Sequence, residues 1–522
     1  MHDVVVIGAG PSGLVATKEM IERGFGDVVC FEKSKTIGGT FSESYEGLHL
    51  TSSATFSMFS DFDVTRADHN KHWTKEEAVA YWTRYADHFA VLPRIRYDVE
   101  VSKLEQLPDQ SWQIHLASGE IATSKRIVCC TGTNTRKRFP DWADQATNVE
   151  VAHSQDYQSP HSYKAQNVLV IGGGESASDI AYEISKTAKQ VTVSLRNGTG
   201  WVTPRSRNGV AADNSTNRLF WKLPRHLGPV VSTSILGFDQ SQRDPLNTAI
   251  HKLNSLVPSP LGIFGSYGTK SLSLPKAMVE NGAQIVRGVS EIRDGGKSIE
   301  FECGAVLEEI DAIVFCTGYI NQVPFLDGEH AVGSPRELHK HVFHPEIGNS
   351  LAFVGLARPG FGAQFPIVEI QSRWVSHVFA SDVQLPSCRK MKEDAARDAK
   401  HYETQFGDTG KRITALVDFH RYMDNIGGML GCVPSLGRVF LGSPKLWKHI
   451  LFGPTQGTQF RLAGLGAKPE LARSILLSLP VSRVNHIVKI ALKQRLLMAL
   501  PLRRFTALRS KGIASHTKSQ ET

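Results

Sequence analysis

Two short apolar runs in this chain are each followed by a glycine-rich turn and then by a stretch with helical patterning. The runs are Val4–Ile7 and Val168–Ile171, and neither contains a polar or charged side chain. Short apolar runs bounded by turn residues are typical of buried strands. The succession of strand, glycine turn and helix therefore predicts two Rossmann-like α/β units in one chain.

Both turns carry the spacing of a dinucleotide-binding fingerprint. In that arrangement the backbone N–H groups at the start of the helix point at a pyrophosphate. Two fingerprints in register predict two bound dinucleotides, with electron transfer between them. The residues predicted to bind cofactor at these turns are Gly8, Gly10, Pro11, Ser12, Gly13, Gly172, Gly174, Ser176 and Ala177.

The residue that follows the second strand distinguishes the two sites. After the first turn this residue is Glu32, 19 residues beyond the last glycine, where a carboxylate binds ribose hydroxyls. At the same offset after the second turn stands Arg196, whose guanidinium suits a ribose 2′-phosphate. The first site is therefore predicted to bind FAD and the second NADPH, with Ser194 and Asn197 as weaker NADP contacts.

Composition narrows the class of protein. The chain has 522 residues, 41% hydrophobic and 21% charged, which suits two to three globular domains. The first strand begins within a few residues of the N-terminus and leaves no room for a secretory signal, so a location on the cytosolic side is expected. The seven cysteines form no CxxC pair and no metal-ligand spacing. Neither a flavin disulfide reductase nor a metal site is predicted.

The positive charge is concentrated in the tail 483–522, which contains nine Lys or Arg residues against Glu521. Because residues 1–482 sum to zero charge, binding of nucleic acid by the body is not suggested. In the tail, cations alternate with apolar residues. This pattern fits an amphipathic helix lying on an intracellular membrane such as the endoplasmic reticulum, or equally a solvated or frayed terminus.

Two further strands end alike, in Cys-Thr-Gly, at Arg126–Gly132 and Asp311–Gly318. Small residues at a strand end let the chain pass close to a cofactor and cross into the next domain. Gly132 and Gly318 are therefore added to the predicted cofactor contacts. The two strands close the two lobes, so an NADP domain is expected inside a discontinuous FAD domain.

The sequence resembles the flavin-containing monooxygenases, the class B dimethylaniline-type enzymes, over about residues 1 to 480. The resemblance is carried by the opening fingerprint and Glu32, by Ile37–Phe41, by the linker His153–Tyr157 and by Cys316–Tyr319. It agrees with the α/β fold of two Rossmann-like domains that the fingerprints predict, to which the charge pattern adds a basic amphipathic tail. The implied parts are an FAD domain at 1–160 and 325–482, an inserted NADP domain at 161–324, and the tail 483–522.

The resemblance also implies the chemistry. It implies that NADPH reduces FAD, that O2 is captured as a flavin C4a-hydroperoxide, and that one oxygen atom passes to a small organic substrate by N- or S-oxygenation, Baeyer–Villiger oxidation or epoxidation. The basic amphipathic tail adds the expectation that this substrate is lipophilic. The cofactor supplies the difficult step, so no catalytic triad is expected. The substrate itself does not follow from the sequence.

The remaining site residues also come from the resemblance. Gly39, Thr40 and Phe41 would approach the flavin from a second glycine turn, and the backbone of Val101 would touch adenine, although a plain core valine is as good an interpretation. Thr51, Ser52 and Asp61 would face the flavin as the candidate catalytic residues, the alternative being a Ser-rich surface loop. His153 is expected to have a structural role.

Two departures keep other functions open. Thr147 and Val149 stand where the family motif has an aromatic residue and a glycine, and residues 50–62 contain no asparagine, although the family commonly places one near the flavin there. The alternative is an NADPH-dependent oxidase or reductase that does not insert oxygen. A non-catalytic adaptor is the more distant alternative, and Arg196 argues against it.

Overall fold

A computed structural model describes residues 1–481 except positions 135, 197, 208, 233–243 and 258. Two sequence-based predictions lie outside the described residues, namely Asn197 as an NADP contact and the amphipathic tail 483–522. Both stay predictions.

The first sheet has five parallel strands with Val4–Ile7 in the middle. Val4, Val5 and Val6 are fully buried, as the unbroken apolar run predicted. The last strand joins from far along the chain, so this domain is discontinuous. The strand order is Leu351–Phe353, Ile127–Cys129, Val4–Ile7, Val28–Phe31 and Ile95–Arg96.

The second sheet repeats this plan with five parallel strands around Asn167–Ile171. Its strands all come from within the gap left by the first sheet. The order is Gln284–Val286, Gln190–Ser194, Asn167–Ile171, Ala312–Phe315 and Glu150–His153. The prediction of an α/β fold with two Rossmann-like domains, one inserted in the other, is confirmed.

Smaller sheets and helices cover these two layers. Two three-stranded antiparallel sheets are formed by Val101–Gln106, Trp112–Leu116 and Ile121–Ser124, and by Val289–Arg293, Ser298–Phe301 and Val306–Leu307. Short strand pairs are Trp201–Val202 with Gly268–Thr269, Ser206–Arg207 with Val210–Ala211, and Arg358–Pro359 with Leu416–Val417. The α-helices are Pro11–Arg23, Ala54–Ser57, Lys75–His88, Glu175–Ser185, Arg218–Trp221, Pro245–Ser255, Ser273–Glu280, Gln364–Phe379, Cys388–Arg412, Phe419–Met429, Leu436–Gly442, Pro444–Phe452 and Pro469–Ser478.

Two chain crossings connect the domains. The segments Arg136–Lys137 and Tyr319–Ile320 pair as short antiparallel strands, so the chain enters and leaves the inserted domain side by side. The strand Glu150–His153 belongs to the second sheet although it precedes residue 160. The expected boundaries at 160, 324 and 482 stay a prediction.

The region 201–270 reaches from the inserted domain onto the C-terminal part of the first. Arg218 is buried there, with its guanidinium 2.8 Å from a carboxylate oxygen of Asp424 and 2.7 Å from the amide oxygen of Gln459. The backbone N–H of Thr455 donates to the carbonyl of Thr216 at 2.8 Å. These contacts hold the two domains together in addition to the linkers.

Across the part of the chain that the structure describes, no helix combines the length and apolarity needed to span a lipid bilayer.

Candidate active site

The first glycine turn is packed so closely that side chains do not fit. Gly8 has φ of +99°, and a Cβ there would lie 2.8 Å from the carbonyl oxygen of Cys130. A Cβ on Gly13 would lie 1.7 Å from the carbonyl oxygen of Gly8. The helix that starts at Pro11 has Gly10 as its N-cap and no side chain capping it. Its first N–H groups are therefore open to an anion.

Glu32 closes this turn from the end of the second strand. Its carboxylate is buried and accepts hydrogen bonds from the backbone N–H of Ala9 at 2.6 Å and from the N–H and hydroxyl of Ser34, both at 2.8 Å. Each carboxylate oxygen retains acceptor capacity for a ribose hydroxyl. The structure thus places Glu32 against the glycine turn that the sequence paired it with.

The second glycine turn of this domain lies directly on the first. The backbone N–H of Gly38 donates to the carbonyl of Ala9 at 3.1 Å, and a Cβ on Gly39 would lie 3.3 Å from the Cα of Gly10. Thr40 is exposed and Phe41 is half-buried, with the Phe41 ring 6.3 Å from that of Phe365. These residues border the same space as the first turn.

Three further predicted cofactor contacts, Gly132, Gly318 and Val101, have different surroundings. Gly132 has φ of +74° and open space where a Cβ would be, so a ligand can approach it. Gly318 has φ of +81°, and its carbonyl oxygen lies 3.1 Å from Nε2 of His153, which gives that histidine a structural contact at the linker. The side chain of Val101 is buried in the core beneath the first sheet, and the contact of its backbone with adenine stays a prediction.

A second helix N-terminus points to the same space. The helix Gln364–Phe379 begins after Ala363 without a side-chain cap, and the amide of Gln364 donates to the carbonyl of Gly355 at 2.9 Å. A Cβ on Gly355 would lie 2.8 Å from the hydroxyl of Ser12. Two positive helix ends therefore converge beside the first glycine turn, which favours an anionic group between them.

A buried hydrogen-bond relay fixes the position of Gly355. Its backbone N–H donates to the side-chain oxygen of Gln371 at 3.0 Å, and the amide of Gln371 donates to the hydroxyl of Tyr422 at 2.6 Å. That hydroxyl donates in turn to the backbone carbonyl of Lys340, whose ammonium is paired with Asp398. No sequence pattern predicts this relay, because its members are far apart in the chain.

The second fingerprint has the same construction. Gly172 has φ of +134°, and a Cβ there would lie 2.3 Å from the carbonyl oxygen of Cys316. Gly174 is the N-cap of the helix Glu175–Ser185, which again lacks a side-chain cap, and the space around Gly174 is open. Ser176 is exposed on the first helical turn, whereas Ala177 is fully buried.

Two predicted NADP contacts at the end of the adjacent strand, Ser194 and Arg196, have different surroundings. The hydroxyl of Ser194 is buried and donates to the carbonyl of Arg287 at 2.8 Å, so it is already engaged. The side chain of Arg196 is exposed, and no carboxylate of the described residues lies within ion-pair distance of it. Its guanidinium is the free cation beside the second turn.

The segment that contains Thr51 and Ser52 is held by the inserted domain. Thr51 is half-buried, and the Ser52 hydroxyl lies 2.8 Å from that of Ser57. The backbone N–H and hydroxyl of Ser53 both donate to Asp213, at 2.7 and 2.8 Å. Asp213 therefore ties this segment to the region 201–270.

Lys270 spans the space between the two glycine turns. Its backbone N–H donates to the carboxylate of Glu175, in the second fingerprint, at 3.2 Å. Its ammonium donates to the carbonyl of Gly362, just before the helix Gln364–Phe379, at 2.7 Å. Burial lowers the pKa of the neighbouring His72 to about 4, and the carboxylate of Asp213 offsets this only in part. Neither Lys270 nor His72 carried a signal in the sequence.

Comparison with known proteins decides the class of the chain. A family model described as FMO-like, flavin-binding monooxygenase-like, matches residues 1–502. The chain belongs to this family. It is an FAD- and NADPH-dependent monooxygenase that inserts one oxygen atom of O2 into a small organic substrate, and the predicted family and enzyme class are confirmed.

Individual relatives match nearly the whole chain. A protein of Marinomonas mediterranea named 4-hydroxybenzoate brominase (decarboxylating) is 34% identical over 493 residues, covering 91% of this chain and 93% of its own. Flavin-containing monooxygenase 5 of Mus musculus is 29% identical, covering 91% of each chain. Among solved structures, S-allyl-L-cysteine S-oxygenase from Allium sativum superposes with a TM-score of 0.60 at 21% identity, covering 85% of this chain and 94% of its own.

The residues present in this monooxygenase fit its two cofactors. Three helices around the site, starting at Pro11, Glu175 and Gln364, have N-termini without a side-chain cap, and two of them follow glycine turns that exclude side chains. Uncapped N-termini of this kind bind phosphate and other anions. FAD supplies the activation of O2 when it is bound, and the chain's own groups supply the positions.

Asp61 corrects one expectation about the monooxygenase site. Asp61 was expected to face the flavin, whereas its carboxylate is buried in ion pairs with Lys18 and with Lys468, the latter at 2.7 Å. Burial alone would raise the pKa of Asp61, but Arg461, Lys18 and Lys468 outweigh that effect and hold it well below its usual value. Asp61 is therefore a structural anion, engaged by cations from distant parts of the chain.

Proposed function

We propose that this monooxygenase binds FAD at the first glycine turn with Glu32 on the ribose, and draws its electrons from NADPH held at the second turn by Arg196. The observation that carries the proposal is the exposed, unpaired guanidinium of Arg196 beside an uncapped helix that starts at Glu175. A guanidinium in this place binds a ribose 2′-phosphate through charged hydrogen bonds. NADH lacks that phosphate.

The test is the preference for NADPH over NADH in the Arg196→Ala variant. The variant should lose about 5- to 150-fold in kcat/KM for NADPH, equivalent to roughly 1 to 3 kcal/mol for a charged hydrogen bond, and retain its kcat/KM for NADH. Arg293→Ala is the matched control, because Arg293 is an exposed arginine of the same inserted domain paired with Glu291 and Glu300. Equal losses for both cofactors would show that Arg196 has a structural role only.

We infer further that the organic substrate is lipophilic. Aromatic side chains cluster beside Gly362 around a cavity no larger than a water molecule, and Phe419 among them packs against Phe56, a few residues after Thr51 and Ser52. Aromatic walls favour apolar ligands because burial of apolar area is their main source of affinity. The aromatic residues that line this cavity are Trp221, Phe264, Phe361, Phe406 and Phe419.

Oxygen insertion itself is tested with isotopically labelled O2 and a series of aryl methyl sulfides of increasing apolar area. Label in the sulfoxide and a KM that falls as apolar area grows are expected. Phe361→Ala should raise the KM of the larger sulfides, whereas Phe139→Ala, an exposed phenylalanine at the linker, should not. NADPH consumption that yields only hydrogen peroxide with every sulfide would refute this substrate class.

A second candidate is oxidation of a halide. The observation that favours it is the 34% identity to the Marinomonas mediterranea protein named a brominase, against 29% for the mouse enzyme named a monooxygenase. Incubation with NADPH, O2 and 4-hydroxybenzoate, with and without bromide, separates the candidates. A brominated phenol formed only with bromide supports the second candidate, and its absence rejects it.

A further inference from the structure

The helix Leu436–Gly442 presents large apolar side chains to solvent. Leu441 is 86% exposed and Phe440 is 50% exposed, although both are large hydrophobic residues. The Phe440 ring does not lie free, because it packs edge-on against the Trp447 ring with centroids 5.4 Å apart. The two residues form a projecting apolar edge whose position is fixed by the next helix, Pro444–Phe452.

Cations surround this edge. Arg438, Lys445 and Lys448 are exposed on the same two helices. A fourth cation, Arg473, is also exposed and donates to the hydroxyl of Ser443, the residue between the helices, at 3.3 Å. We name the group formed by Phe440, Leu441 and these four cations the Leu441 tip.

Carboxylates are scarce around the Leu441 tip. Residues 425–469 of the sequence contain no Asp or Glu at all. The third helix of this group, Pro469–Ser478, adds Glu470 as its one carboxylate. Four cations against one carboxylate, around exposed Phe and Leu side chains, combine the two features that attract a protein to anionic lipid.

We propose that the Leu441 tip is a docking surface for an anionic membrane, in which the apolar edge enters the headgroup region and the cations lie on lipid phosphates. Charge complementarity selects this occupant over two others. By its sequence the tail 483–522 carries nine cations against one carboxylate, so its charge does not complement that of the tip, and a second copy would oppose cation to cation. The inference is independent of the proposed NADPH and substrate assignments.

The test measures how the full-length protein partitions onto vesicles in a sedimentation assay. Vesicles of phosphatidylcholine alone are compared with an equal mixture of phosphatidylcholine and phosphatidylglycerol. Binding to the anionic vesicles, weakened by salt, is expected for the wild type. The double variant Phe440→Ser/Leu441→Ser should bind at least about tenfold more weakly, since it removes the apolar area that enters the lipid.

A charge variant tests the contribution of the cations to binding separately from that of the apolar edge. Lys445→Gln/Lys448→Gln should weaken binding to the anionic vesicles by about 25-fold, or about fivefold for each cation. Two control variants match these in type, namely Ile121→Ser/Val306→Ser for exposed apolar residues and Lys411→Gln/Arg412→Gln for exposed cations elsewhere. Both controls should bind like the wild type. Any contribution of the tail adds to all variants equally.

Three results would overturn the proposal. The first is tip variants that bind anionic vesicles as tightly as the controls do. The second is equal binding of the wild type to neutral and anionic vesicles. The third is a change in the mass of the free protein on mutation of Phe440 and Leu441, which would identify the surface as a contact between copies. Unchanged NADPH turnover in all variants serves as the check that they are folded.

Discussion

Arg461 is the centre of a buried charge cluster, and its removal has a calculable cost. Its side chain is 1% exposed and lies 2.9 Å from a carboxylate oxygen of Glu369, 2.8 Å from the hydroxyl of Ser60 and within ion-pair distance of Glu19 and Asp61. The substitution Arg461→Met removes the charge and keeps most of the volume. It isolates the electrostatic contribution of the guanidinium from its packing.

The magnitude follows from what each carboxylate retains. Glu19 keeps Lys18, with Nζ 3.1 Å from its oxygen, and Asp61 keeps Lys18 and Lys468. Glu369 keeps only hydrogen bonds from Ser60, because no second cation of the described residues lies within ion-pair distance of it. One buried, unpaired carboxylate costs about 3 kcal/mol, the lower end of the range for breaking a buried pair.

The cost also depends on pH. Burial would raise the pKa of Glu19, yet Arg461 and Lys18 hold it at about 2 in the folded protein. The stabilisation from a depressed carboxyl pKa is present above about pH 4.5 and is lost as the pH falls toward 2. The part of the stability difference between wild type and Arg461→Met that comes from Glu19 should therefore be full at pH 7 and shrink below about pH 4.5.

The assay is urea denaturation followed by flavin release, which reports on the FAD domain rather than on the whole two-domain chain. A double-mutant cycle with Glu369→Gln isolates the interaction between Arg461 and Glu369. The double variant Arg461→Met/Glu369→Gln should be more stable than Arg461→Met alone, because the unpaired charge is gone. Arg293→Met, at an exposed arginine, is the control and should leave the midpoint unchanged. Additive losses in the cycle would refute the reasoning.

Three other outcomes are expected. Tyr422→Phe should weaken FAD binding and divert more NADPH to hydrogen peroxide. The reason is that the Gln371 amide loses its hydrogen-bond acceptor and no longer holds Gly355 in place. Unchanged FAD titrations and peroxide yields would contradict this. His72→Gln should reduce the stability loss between about pH 6.5 and 4, because the half-buried His72 has a pKa of about 4 and the unfolded chain takes up the proton first. Stability losses of the same size in both proteins over this pH range would contradict it. Cys303 should be the first cysteine alkylated in the native protein, since it is exposed and a hydrogen bond from the backbone of Arg287 lowers its pKa. The order of alkylation is read by peptide mass spectrometry, and earlier labelling of Cys388 would contradict the prediction.

The sequence predicted the local parts of the site well. The run Val4–Ile7, the turn after it and Glu32 are close in the chain, and the strand, turn and helix that they form depend on short-range geometry. The glycines at 8, 13 and 172 are required because backbone atoms of neighbouring strands leave no room for a Cβ. Such constraints are visible as glycine spacing in a single sequence.

The site residues that the sequence assigned wrongly or did not reveal share a different cause. Asp61 was expected to face the flavin, but its partners Lys468 and Arg461 lie about 400 residues away in the chain. Asp213 was not predicted because nothing in its neighbourhood signals that it binds Ser53 across a domain boundary. Long-range polar contacts of this kind carry no periodic signature, so pattern analysis does not detect them.

The sequence by itself determined the two dinucleotide-binding units, the α/β class and the difference between a carboxylate at Glu32 and a guanidinium at Arg196. These features follow from hydrophobic period, glycine spacing and side-chain charge, all of which are local. Only the tertiary structure decided which groups meet between the cofactor turns, where Lys270 contacts both Glu175 and Gly362, and which acids are neutralised by distant cations. The reason is physical: burial and charge pairing depend on chain segments that folding brings together, not on their order along the chain.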